Sequence, residues 1–69
     1  MVGIYKTNIN TKENKRLVIE SLSTHFQLDN CSIDMEDIDK VLRVVATKEF
    51  DEGRILSFVK QLGFDCQPL

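Results

Sequence analysis

Cys31, Cys66 and His25 are the thiol and imidazole ligands that this 69-residue chain offers a metal ion. A thiolate or imidazole site needs three or four such groups converging on one point, so these are weak candidates. His25 and Cys31 fall at the end of one predicted element and the start of the next, where a two-ligand zinc site is conceivable. Cys66 alone holds an ion only if two chains share it. Two cysteines are too few for a disulfide framework. Four acids, Asp34, Glu36, Asp37 and Asp39, gather within six residues. A calcium loop requires a turn glycine and a distal glutamate, and both are missing, so the cluster reads as a solvated hairpin. No Ser/His/acid or Cys/His pair has an orienting partner, and no glycine-rich phosphate loop occurs. An enzyme is therefore not expected, and no cofactor is implied. Lys12, Lys15 and Arg16 form a small basic group, which on the residues alone reads as part of a mixed, solvated surface.

Bulk properties narrow the classes further. The apolar share of 42% and charged share of 29% are those of an ordinary globular domain, and the length allows one core, spanning residues 1–69. A net charge of −2 with mixed signs gives no basic stripe for nucleic acid. No apolar run approaches the roughly 20 residues of a membrane span. The start, Met1 to Thr7, lacks a signal-peptide core, which makes the cytoplasm the expected compartment.

The elements that must position these residues alternate in period. Tyr5, Thr7 and Ile9 give a strand over Val2–Ile9 with one buried face. Leu17, Val18, Leu22 and Phe26, flanked by Ile19, have helical spacing and predict a helix from about Thr11 to Phe26. Asn10 or Thr11 caps it, and Glu13 stands three after Asn10 in a capping-box arrangement. After a turn at Gln27–Asn30, Cys31, Ile33 and Met35 alternate with Ser32, Asp34 and Glu36 in a second strand, which puts the Cys31 thiol inward. Asp37–Lys40 has turn chemistry. Val41–Thr47 reads as a third strand with Leu42, Val44 and Ala46 inward. Asp51 caps a second helix carrying Ile55, Leu56, Phe58, Val59 and Leu62, and Gly63 ends it. A last strand over Asp65–Gln67 precedes Pro68.

The order βαββαβ, with right-handed crossovers, predicts an α+β ferredoxin-like sandwich: a four-stranded antiparallel sheet, order 4-1-3-2, with both helices on one face. Strands two and four are then opposite edges. Three spacings of about 4.8 Å separate them, well beyond the ~7 Å reach of a disulfide, so Cys31 and Cys66 are not expected to pair. The outer face lacks the aromatic pair of an RNA-binding version of this fold.

Specific residues add a resemblance. Lys6-Thr7-Asn8-Ile9-Asn10, Val18 and Leu22, Ile33-Asp34-Met35, and Leu62-Gly63-Phe64 resemble, over nearly the whole chain, the heavy-metal-associated domains of copper chaperones and metal-transporting ATPases. Aligned through Val18 and Leu22, that family's Gly-Met-Thr-Cys-x-x-Cys falls on Asn8 to Asn14. Ile9 takes the place of the methionine that fills an apolar hole, and Phe64 that of the closing aromatic. The two cysteines become Thr11 and Asn14. A thiolate pair at a helix start suits Cu(I) because the helix dipole favours thiolate and the ion is soft. A hydroxyl and an amide supply neither charge nor softness. The resemblance thus implies the scaffold without its copper site, no metal at Thr11 and Asn14, and docking to a partner domain at the end that carries Lys12, Lys15 and Arg16. The chain is expected to be a monomer or weak homodimer, serving as an interaction or regulatory module. The alternative is metal binding or trafficking through Cys66 across a homodimer.

Overall fold

Along β1 (Val2–Thr7), Gly3, Tyr5 and Thr7 are buried while Val2, Ile4 and Lys6 face outward. In this computed structural model, which describes residues 1–69, the strand stops two residues short of the expected Ile9. The Thr7 hydroxyl accepts the Ile9 N–H at 3.3 Å and curls the chain, so Ile9 leaves the ladder yet stays fully buried. Helix α1 (Lys12–His25) follows, then β2 (Asn30–Asp34), β3 (Val41–Val45), α2 (Glu52–Gln61) and β4 (Cys66–Pro68). The strands pair antiparallel in the order β2-β3-β1-β4, the predicted ferredoxin-like topology. No helix is long and apolar enough to cross a membrane.

One core joins the sheet to both helices. Tyr5, Ile33, Leu42, Val44 and Cys66 from the strands pack with Val18 and Leu22 of α1 and Ile55 and Val59 of α2. Because one cluster takes residues from both helices, the two cover the same sheet face. Each fully buried aliphatic side chain contributes about 1.5–3 kcal/mol relative to exposure. The apolar stripe of α1 is narrower than its sequence suggests. Leu17 is 46% exposed, since one residue of helical rotation moves it about 100° away from Val18, which faces the sheet.

Helix ends follow side-chain chemistry. Thr11, not Asn10, is the N-cap of α1, and its hydroxyl accepts the Asn14 N–H at 3.1 Å, so Glu13 does not close the expected box on Asn10. Asp51 caps α2 by accepting the Arg54 N–H at 3.3 Å. At the far end, Gly63 donates to Lys60 O at 3.0 Å and Phe64 to Val59 O at 3.4 Å, the paired bonds of a Schellman motif. That motif needs a left-handed residue, and Gly63 has φ +104°. β4 begins at Cys66 rather than Asp65 and keeps Pro68 opposite Tyr5, a place open to proline because β4 is an edge strand.

Gly3 is fixed by packing. A Cβ there would lie 2.3 Å from the Tyr5 hydroxyl oxygen and 2.7 Å from its ring. The Tyr5 ring lies across this position and sends its O–H to Glu52 Oε1 at 3.2 Å. Burial, with Glu52 beside it, raises the Tyr5 pKa well above the usual phenol value. Gly3→Ala should lower unfolding stability by about 1–3 kcal/mol in urea titrations, as overpacking does. The same change made on a Tyr5→Leu background should cost much less, which isolates the clash.

Asp29 ties the start of β2 to the end of β3. Its carboxylate accepts from both the backbone N–H and the hydroxyl of Thr47. Those two bonds hold its pKa below the ordinary 3.8. A depressed carboxylate pKa adds stability above the ordinary value and loses it as pH falls through the folded value. Asp29→Asn keeps an acceptor but cannot titrate, so its urea midpoint should fall less steeply than that of wild type below about pH 4.

Candidate functional site

The β1–α1 loop, residues 8–11, is tied to the scaffold through Asn8, Ile9 and Thr11. Asn8 Oδ1 accepts the Asp65 N–H at 2.9 Å and so pins the loop to the segment before β4. Ile9 plugs the core. The Thr11 hydroxyl is engaged in the α1 cap. Thr7, buried beneath the loop, donates its hydroxyl to Lys40 O at 2.6 Å, and its N–H goes to Asp39 O at 3.0 Å. These bonds bring the β2–β3 turn to the same end of the domain. Lys6 and Asp39 add an ion pair at 3.7 Å.

Thr11 is exposed and Asn14 half-buried, placed at the N-cap and third position of α1. The polar groups at these two positions are thus a hydroxyl oxygen, already bonded, and a neutral amide. Cys66 is the thiol nearest this loop, directly opposite Thr7 in the β1–β4 ladder. It is 2% exposed, and burial pushes its thiol up to about 11 despite the opposing pull of Lys60. At neutral pH this sulfur is protonated and covered, unlike an accessible thiolate ligand. Phe64, half-buried, packs against the core just before it.

Cys31 lies on β2 at the opposite edge of the sheet, half-buried, and burial likewise pushes its thiol up to about 11. Both cysteines are free. His25 is exposed at the last turn of α1. Its Nδ1 lies 2.9 Å from Ser21 O, and because a carbonyl only accepts, Nδ1 carries the proton and donates. Its ring lies 4.8 Å from that of Phe58. No group of three or more His, Cys, Asp or Glu side chains is gathered to hold a metal ion.

Lys12, Lys15 and Arg16 share one side of α1, where with Ile19 and Glu20 they line a shallow depression. Arg16 Nε pairs with Glu20 Oε1 at 3.0 Å, while Lys12 and Lys15 have no carboxylate within 4.0 Å. Sequence patterning missed the part played by Thr7, whose inward parity was legible but whose bond to Lys40 depends on how the hairpin folds back. It also passed over Ile38, an isoleucine inside the acidic turn. Its type is out of place among turn residues, and that was the available signal. Comparison of the chain with protein-family models, curated proteins and solved structures finds no match to any of them.

Proposed function

We propose that this chain is a degenerate heavy-metal-associated-like domain that has lost the copper site of its loop and serves as a small protein-docking or regulatory module, without catalytic activity. The observation that carries this reading is the fate of the two ligand positions. Thr11 is committed to capping α1, Asn14 offers a neutral amide, and Asn8 is bonded to the segment before β4. Such oxygens compete poorly with water for a soft ion. The basic side of α1 and the acidic β2–β3 turn, both near this loop, supply complementary charge for a protein partner. Two free, protonated thiols suit a reducing compartment such as the cytoplasm.

The competing use of Cys66 as a ligand shared between two chains is favoured by its place beside Thr7 and opposed by its burial. Titration with Cu(I) under reducing conditions separates the two. The docking reading expects weak binding, equal in wild type and Cys66→Ser. Tight binding that Cys66→Ser abolishes, with dimers forming only when metal is present, would replace it by metal handling.

A further inference from the structure

The β2–β3 turn presents the most solvent-exposed large apolar side chain of the molecule, Ile38, at 92%. A lone exposed isoleucine is ordinary. One clamped in place near a matching receptacle is not. Asp34 Oδ1 accepts the N–H groups of Glu36 and Asp37 at 3.0 and 3.3 Å, and Asp37 Oδ1 that of Asp39 at 2.7 Å. Lys40, left-handed at φ 46°, donates its N–H to Asp37 O at 3.0 Å and its ammonium to Met35 O at 2.8 Å. The turn is therefore set before any contact is made, which lowers the entropy cost of docking. The tip is an apolar knob flanked by carboxylates.

The same chain carries the converse surface. On α1, Lys12, Lys15 and Arg16 surround a shallow depression that includes the half-buried Ile19. We propose that two copies of this chain pair through this end, the Ile38 of each seated against Ile19 of the other, with the acids of its turn facing Lys12 and Lys15. This rests on the docking reading above and names its partner. Charge argues for a second copy, because the turn is acidic while the hollow carries the unpaired Lys12 and Lys15 beside the Arg16–Glu20 pair. Their presence at one end allows a two-fold arrangement in which both contacts form at once and the assembly closes as a dimer. The interface is small, so the dimer belongs to the weak class, with a dissociation constant on the order of 0.1 mM.

Sedimentation velocity on the whole chain tests this, with circular dichroism confirming that each variant is folded. Wild type should pass from monomer towards dimer as concentration rises through about 0.1 mM, and raising salt from about 0.05 to 0.5 M should weaken the dimer about tenfold. Ile38→Ser, which alters only an exposed side chain, should weaken it by a similar factor or more. Lys12→Glu with Lys15→Glu should leave monomers, and separately Glu36→Lys, which reverses a turn acid whose carboxylate has no partner within the chain, should weaken the dimer about tenfold. Mixing those two reversed proteins should restore a dimer, since both contacts in the mixed pair are again complementary. A wild type that stays monomeric throughout overturns the pairing, as does a mixture that associates no better than its parts. Either failure is independent of the copper titration, which alone decides whether the docking reading stands.

Discussion

Thr11→Cys combined with Asn14→Cys should confer one-to-one Cu(I) binding at least about a thousandfold tighter than that of wild type, a gain of roughly 4 kcal/mol. The two positions are the N-cap and third residue of α1, so both new sulfurs would lie at the positive end of a 14-residue helix. That field favours thiolate, and a thiolate pair matches a soft ion. The replacement removes the Thr11 cap, which costs about 1 kcal/mol of stability before metal is added. Bound copper should more than offset this, raising the melting temperature of the double variant and leaving wild type unchanged. A competition titration with a Cu(I) chelator measures both affinities. Should the double variant bind no better than wild type, the loop does not have the geometry that its resemblance to heavy-metal-associated domains implies.

Leu22→Ala should cost about 2–5 kcal/mol, enough to leave much of the protein unfolded at 37 °C. Leu22 is fully buried in the second half of α1, packed in the cluster that joins both helices to the sheet. A domain of this length has roughly 3–10 kcal/mol of stability in all, so one deleted core side chain is a large share. Leu17→Ala on the same helix should fall within about 0.5 kcal/mol of wild type, because that side chain is already half in solvent. Urea denaturation followed by circular dichroism reads both. Equal losses at the two sites would mean that the buried stripe of α1 is wider than Val18 and Leu22.

Much of the architecture is legible because short-range chemistry and long-range packing agree. Phe26, Asp51 and Gly63 mark helix ends in the sequence and stand at them in the structure. The alternation of Tyr5 with Thr7, and of Leu42 with Val44, sets the sheet's inner face, from which strand order follows by the handedness of the crossovers. What stays hidden depends on contacts made by chain reversal. Asn10 and Thr11 are equally good caps on paper, and the choice falls to Thr11 because Ile9 must reach the core first. Leu17 and Val18 are neighbours of equal apolarity, and only the docked helix decides which one faces the sheet. The need for glycine at position 3 appears only once the Tyr5 ring is laid across it.

The candidate site divides the same way. The absence of cysteine at positions 11 and 14 is visible in the letters alone, as is the basic group at Lys12, Lys15 and Arg16. The burial of Cys66 opposite Thr7 is not, since edge-strand thiols can face either solvent or core. Nor does the sequence show that Asn8 is tied to Asp65, a bond that makes the loop part of the scaffold.

The most direct measurement is a set of ¹H–¹⁵N correlation spectra of the reduced wild-type protein as Cu(I) is added to one equivalent. A scaffold without its copper site predicts that the amides of residues 8–14 and 64–67 keep their positions throughout. Site-specific, saturating shifts confined to those amides would reveal an ion held at the loop and contradict that claim.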